Sequence, residues 1–198
     1  MSETYQQYWK DRSWSCIREG IKTVDNYAMK CFLMETKPKM LLEIGCGLGR
    51  FLPLYKDVDQ VFATDLVDER ITHCKTLGFD NYKFEVLDIS KQTLPFAFDT
   101  IVSTQVLLHI PPKHIANAIK NMVDMTNDNG HWWHCTNYAP VKLSAPDADY
   151  SPELPTANSF SHPLPELFEN AGMKVISMEN IQFFNGAVNT IFVCKKEV

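Results

Sequence analysis

Residues 40–51 read Met40-Leu-Leu-Glu43-Ile-Gly45-Cys46-Gly47-Leu-Gly49-Arg50-Phe51. The first five are an apolar run broken by one acid, Glu43, the pattern of a strand buried on both faces of a parallel sheet. Gly45, Gly47 and Gly49 follow at alternate positions. Glycine permits positive φ and lets a ligand approach bare backbone, and a helix starting there would turn its free amides toward that ligand. Strand, glycine turn and helix form the nucleotide-binding corner of a doubly wound α/β fold.

Working outward, residues 5–35 read as helical. Tyr5, Tyr8, Trp9 and Trp14 cluster at the start, and Ile17, Ile21, Val24, Ala28 and Cys31 recur at spacings of three and four. Lys37-Pro38 ends that helix. After the glycine turn a helix is expected within residues 48–55, with Pro53 tolerated only in its first turn. A strand at 61–64 ends on Asp65, and a helix over 67–77 is stopped by Gly78. A strand at 82–87 ends on Asp88, a fourth strand covers 98–103, and Pro111-Pro112 opens a helix to about residue 125. Asn129-Gly130 turns into a fifth strand at 131–136. A helix over 163–171 closes at Gly172, and strands at 173–178 and 189–194 have little helical pattern between them, so they should pair antiparallel.

This order predicts an α/β fold with a doubly wound, mostly parallel seven-stranded sheet and an antiparallel terminal strand pair. At 198 residues it is expected to be a single domain: an N-terminal helical cap (1–35), a cofactor-binding core (36–136), a loop (137–161) and a terminal helix with the strand pair (162–198). The loop carries Pro140, Pro146, Pro152 and Pro155 and no clear period. An irregular stretch of that length inside a domain marks function or disorder.

Hydrophobic content of 45% and charged content of 22% are those of an ordinary globular protein. The net charge of −5 and four scattered arginines (Arg12, Arg18, Arg50, Arg70) argue against a nucleic-acid partner, which needs clustered cations. No apolar leader or membrane-length run is visible. The six cysteines form no CxxC pair, as expected for reduced thiols in the cytoplasm.

The glycine spacing discriminates between nucleotides. A dinucleotide turn is GxGxxG, its third glycine permitting close helix packing. Here the pattern is GxGxG, and Arg50 stands where that glycine would be. No GK[ST] follows, so a P-loop is excluded. Residues 43–50 closely resemble the first motif of the class I S-adenosylmethionine-dependent methyltransferases. Asp65 lies about 20 residues downstream, and Asp88 sits in Leu87-Asp88-Ile89. The stretch 98–110, Phe-Asp-Thr-Ile-Val-Ser-Thr-Gln105-Val-Leu-Leu-His109-Ile, resembles that family's fourth-strand motif. The likeness is close over residues 36–136 and loose over 160–198.

The resemblance implies S-adenosyl-L-methionine as cofactor. It implies Glu43, Gly45, Cys46, Gly47, Asp65, Leu66, Asp88, Ile89 and Gln105 as its binding set, with Asp65 on the ribose hydroxyls and Asp88 beside the adenine amino group. The chemistry agrees: this cofactor has no phosphate, so its acceptors should be acids or carbonyls at strand ends. Both acids could equally be strand-end turn residues, Glu43 could cap a helix or pair with a lysine, and Cys46 could simply be a small packed residue.

Methyl transfer relies on alignment and desolvation, and needs a base only when the nucleophile arrives protonated. His109 is the candidate base because imidazole titrates near neutrality; a purely loop-holding role is the competing reading. His131, His134 and Cys135 do not make a metal site, because on a strand His134 faces away from the other two. Asn137-Tyr138-Ala139-Pro140 resembles the NPPY-type motif of amino-methylating enzymes, but that motif follows the fourth strand and this one the fifth.

Tyr138 can still line an acceptor pocket, and Trp9 and Arg12 either pack the first helix or close over the cofactor together with the loop. The expected partner is a small-molecule acceptor, with no nucleic acid or membrane. The alternatives are a protein or nucleic-acid acceptor, a non-catalytic cofactor-binding subunit, and a small dehydrogenase.

Overall fold

The computed structural model describes residues 24–138, 143–150, 159–182 and 188–197. Helix α1 (Val24–Thr36) ends as the sequence dictates. Thr36 Oγ1 donates to the Phe32 carbonyl at 2.8 Å, Lys37 turns to a φ of 44°, and Pro38 forbids continuation. The remainder of the first expected helix and its aromatic start, Trp9 and Arg12 included, lie outside the described residues.

Seven strands follow: β1 (Met40–Ile44), β2 (Gln60–Asp65), β3 (Tyr82–Val86), β4 (Phe98–Thr104), β5 (Thr126–Thr136), β6 (Met173–Gln182) and β7 (Val188–Lys196). They form one sheet in the order β3-β2-β1-β4-β5-β7-β6. The first five pair in parallel, and β7 runs antiparallel to both β5 and β6. This is the expected mixed sheet. The strand order reverses between β1 and β4, and doubly wound sheets bind ligands past the carboxyl ends of the strands at such a switch point.

Both faces of the sheet are covered, which explains the apolar strands. On one face Leu42, Ile44, Phe62, Ile101, Trp132 and Phe192 pack against α3 (Pro112–Asp124) and α4 (Leu164–Asn170). On the other, Leu41, Val61, Ala63, Val102, Trp133 and Cys135 meet Met29 and Phe32 of α1 and Ile71 and Cys74 of α2 (Asp68–Lys75). Met29, Phe62, Trp132 and Phe168 are fully enclosed. Burying such side chains contributes about 1.5–3 kcal/mol each.

Two local expectations are corrected. No α-helix follows the glycine turn; the chain makes one 3₁₀ turn at Leu52–Tyr55. Gly49 is left-handed at φ 79° and Pro53 sits at the start of the turn, so the chain has neither the dihedrals nor the amides for a longer helix there. Strand β5 begins at Thr126, ahead of the expected 131. Trp132 Nε1 donates to Thr126 Oγ1 at 2.8 Å, and the β4–β5 register slips between Phe98 and Thr100. Asn129 takes a φ of 62°, so Asn129-Gly130 is an irregularity inside the strand and not a turn before it. Within 137–161 the described residues hold turns and irregular chain, with no helix or strand among them.

Candidate cofactor site

The glycine turn leaves β1 with three left-handed residues, Gly45, Gly47 and Gly49, at φ 72°, 56° and 79°. Two of them do different work. A Cβ on Gly45 would lie 2.3 Å from Val106 Cγ2, so Gly45 lets the turn close onto the end of β4. A Cβ on Gly47 would meet no atom within 4 Å, so its backbone faces open space. That is a cradle with room for a ligand and no side chain to fill it.

The turn is pinned to the next strand. Cys46 N donates to the Thr64 carbonyl at 2.8 Å, and Thr64 Oγ1 donates to the Glu43 carbonyl at 2.9 Å. Gly47 N donates to Asp65 Oδ2 at 2.9 Å. Asp65 closes its own turn, Oδ1 accepting from Val67 N at 3.0 Å, and Arg70 lies 3.6 Å from Oδ2. A carboxylate has about four acceptor sites, so Asp65 retains capacity for a hydroxyl pair.

Behind the cradle, Glu43 is 3% exposed. Its Oε2 and the Tyr55 hydroxyl are both buried, and among the described residues neither meets a partner at full hydrogen-bond geometry, although the two interact with each other. Burial is the main cause that pushes the Glu43 pKa up to about 8; Cys74 adds to it, while Arg50 and the nearby Tyr55 hydroxyl oppose it. Among the described residues Glu43 caps no helix and pairs with no lysine. A buried carboxyl with one oxygen short of a full partner, beside an open cradle, suits a cationic ligand.

Asp88 follows β3, whose end is tied to β2 by Leu87 N donating to the Asp65 carbonyl at 2.9 Å. Its Oδ1 accepts from Ser90 N at 3.1 Å and Ser90 Oγ at 2.6 Å, and Lys91 Nζ lies 3.1 Å from Oδ2. Burial works to raise its pKa, but Ser90 and Lys91 outweigh it and hold the carboxyl below its ordinary range. Both acids are thus turn residues and hydrogen-bond acceptors at once. Leu66 is half-buried, whereas the Ile89 side chain belongs to the core.

At the end of β4, Gln105 takes a φ of 57°, rare for a residue with a side chain and common at functional sites. Its amide donates to the Cys135 carbonyl at 2.8 Å. A 3₁₀ turn, Leu107–His109, follows, leaving His109 half-buried. The returning segment grips this turn on both sides of His109. Phe160 N donates to the Leu108 carbonyl at 2.6 Å, and buried His162 donates from Nε2 to the Ile110 carbonyl at 2.9 Å. Tyr138 packs edge-on against Phe192, ring centroids 5.1 Å apart; burial first, and the Glu166 charge second, raise its pKa.

The fold therefore joins Glu43, Gly45, Cys46, Gly47, Asp65, Asp88 and Gln105 through shared backbone contacts. Tyr138 and His109 stand at the ends of the neighbouring strands β5 and β4. His131 and Cys135 share a face of β5 and His134 takes the other, as the strand period requires: Trp133 and Cys135 pack on the α1 side, where Phe32 meets His131. Sequence reasoning missed Tyr55, Cys74, Asp25 and His162. Each lies far from its partner along the chain, so no motif spacing points to it.

Sheet order, glycine cradle and strand-end acids together define the class I methyltransferase fold. A family model described as a methyltransferase domain matches residues 18–187. Among solved structures, the N-methyltransferase NodS from Bradyrhizobium japonicum, in complex with S-adenosyl-L-homocysteine, superposes with a TM-score of 0.75 at 16% identity over 98% of this chain and 99% of that one. The magnesium protoporphyrin IX methyltransferase of Synechocystis, with the same ligand bound, gives 0.67 at 14% over 98% and 94%. The [4+2]-cyclase SpnF gives 0.69 at 15% over 87% and 81%. No curated protein matches the chain in sequence. The chain belongs to the methyltransferase-domain family and is a class I S-adenosylmethionine-dependent methyltransferase. Among the described residues no helix is long and apolar enough to cross a membrane.

Proposed function

We propose that this methyltransferase acts on a small-molecule acceptor, with the cofactor lying across the 45–49 turn and the acceptor entering between Gln105, His109 and Tyr138. One observation carries the cofactor placement: Gly47 presents bare backbone to open space while its amide is held by Asp65. In this reading Asp65 takes the ribose hydroxyls and Asp88 the adenine amino group. Glu43, buried with its Oε2 short of a partner among the described residues, would serve the cationic end. When bound, the cofactor supplies a methyl group on an already activated sulfonium. What the chain adds is alignment and exclusion of water.

The acceptor side is supported by charge. A net charge of −5 with four unclustered arginines argues against a phosphate backbone as partner. His109 is the candidate general base, its turn fixed by Phe160 and His162. The [4+2]-cyclase on the same fold keeps a second reaction class in view.

Calorimetry with S-adenosylmethionine, S-adenosylhomocysteine and NAD(P) tests the cofactor placement. Wild type should bind the first two in the micromolar range, and Asp65→Ala should lose at least about 100-fold, the worth of two charge-assisted hydrogen bonds. Transfer of labelled methyl across small-molecule, protein and nucleic-acid pools then identifies the acceptor; a signal confined to macromolecules would overturn the small-molecule reading. Full turnover by His109→Ala across pH would remove the base role.

A further inference from the structure

Beneath the cradle lie two thiols that the proposed chemistry does not use. Cys46 sits between Gly45 and Gly47, and Cys74 in the last turn of α2. Their sulfurs are 4.0 Å apart across 28 residues of chain. Both are enclosed, at 5% and 0% exposure. Cys74 Sγ donates to the Gly47 carbonyl at 3.4 Å, and Cys46 Sγ lies 4.0 Å from the same oxygen. The thiol pair and the backbone that faces the cofactor are therefore one contact group.

We propose that Cys46 and Cys74 are a redox modification site: hydrogen peroxide joins them in a reversible disulfide that pulls the turn out of cofactor-binding geometry. The inference rests on the placement of the cofactor at this turn. A disulfide brings the sulfurs to about 2.0 Å, so the pair must close by about 2 Å, through side-chain rotation together with movement of the backbone that carries them. Cys74 is anchored in a helix whose Ile71 neighbour is also buried. Cys46 hangs between glycines at φ 72° and 56°. The turn is the side that yields. Its movement breaks the bonds that set it, Cys46 N to the Thr64 carbonyl and Gly47 N to Asp65 Oδ2, at 2.8 and 2.9 Å.

The chemistry balances. A thiolate attacks one peroxide oxygen, the O–O bond breaks, and a sulfenic acid and water form. The second thiol attacks that sulfur, the S–O bond breaks, and a second water leaves. Two thiols are oxidised to one disulfide, and the peroxide is reduced to two waters. Cys74 is the better first nucleophile, because the hydrogen bond from Cys46 holds its pKa below the ordinary thiol value. The same bond and burial raise Cys46. The open space at Gly47 is the entry for a small oxidant, and a bound cofactor would block it.

The test uses the full chain. Hydrogen peroxide treatment followed by peptide mapping should yield a Cys46–Cys74 cross-linked peptide, two hydrogens lighter than the reduced pair. Affinity for S-adenosylmethionine should fall at least about tenfold and return with dithiothreitol, and added S-adenosylhomocysteine should slow cross-linking. Cys74→Ser should abolish the peroxide effect on affinity, and Cys31→Ser, which removes an exposed thiol, should leave it intact. Absence of the cross-linked peptide in a reduced protein that binds cofactor normally overturns the proposal, as does a cross-linked protein with affinity within twofold of the reduced form. A reduced protein that binds no cofactor overturns the cofactor placement instead, and peptide mapping of wild type still reads the thiol pair independently of any variant.

Discussion

The Arg50 guanidinium pairs with the Asp25 carboxylate at 2.5 Å, fastening the first turn of α1 to the end of the glycine turn. Asp25 is almost completely enclosed, at 2% exposure against 22% for Arg50, and the guanidinium also stacks 4.1 Å from the centre of the Phe51 ring. The residue that distinguishes this turn from a dinucleotide turn is thus the one that holds α1 over it.

Removing one partner of this pair should cost more than removing both. Arg50→Ala leaves a buried carboxylate uncompensated and is expected to destabilise by about 3–5 kcal/mol, the range for broken buried pairs. The double variant Arg50→Ala/Asp25→Ala should be less destabilised than Arg50→Ala alone, and so less than the sum of the singles. Urea unfolding of all four proteins gives the coupling energy, and simple additivity would show the pair contributes nothing.

Gly45→Ala and Gly47→Ala should separate folding from binding. At Gly45 the new methyl runs into Val106 at 2.3 Å, so stability and cofactor affinity fall together. At Gly47 the methyl meets no protein atom. Its cost to folding is the left-handed backbone alone, about 1–2 kcal/mol, while cofactor affinity drops because the methyl occupies the ligand's space. Thermal melts with calorimetry distinguish the two, and unchanged affinity in Gly47→Ala would move the ligand elsewhere.

Glu43 should make stability and binding depend on pH in opposite senses. Its pKa rises from 4.5 to about 8 in the fold, so the folded chain keeps a proton that the unfolded chain has released. The stabilising contribution is complete below 4.5 and disappears as pH climbs to about 8, with a slope of up to about 1.4 kcal/mol per pH unit. Glu43→Gln should flatten that slope in urea melts. A cationic ligand favours the ionised carboxylate, so S-adenosylmethionine should bind more tightly as pH rises toward 8, with proton release. Calorimetry in buffers of different ionisation enthalpy measures that release directly.

His134 sets the acid limit. Its Nδ1 lies 2.7 Å from Ser103 Oγ, its Nε2 has no partner among the described residues, and burial pushes its pKa from 6.5 down to about 3. The contribution is intact above 6.5 and is lost as pH falls toward 3, because the unfolded chain then takes a proton the folded chain refuses. His134→Phe should flatten this limb of the stability curve, at a cost of about 1–3 kcal/mol for the stranded Ser103 hydroxyl. Acid unfolding followed by circular dichroism is the measurement.

The sequence by itself determined the strands, their order along the chain, the glycine turn and the two strand-end acids. Each is written in a local period or in one residue whose dihedrals or hydrogen-bonding have few substitutes. Arg50 in place of a third glycine separated this turn from the dinucleotide type before any contact was known. Only the tertiary structure decided which residues stand behind the turn. Asp25 meets Arg50, Tyr55 approaches Glu43, Cys74 comes to Cys46, and His162 reaches Ile110 across 52 residues. It also decided that Pro53 and a left-handed Gly49 leave a single 3₁₀ turn where a helix was expected, and that β5 starts at Thr126. The physical reason is the same in each case. Periodicity and propensity act over one or two turns of chain, whereas enclosure of a carboxyl or a thiol depends on which distant side chains the sheet brings against it.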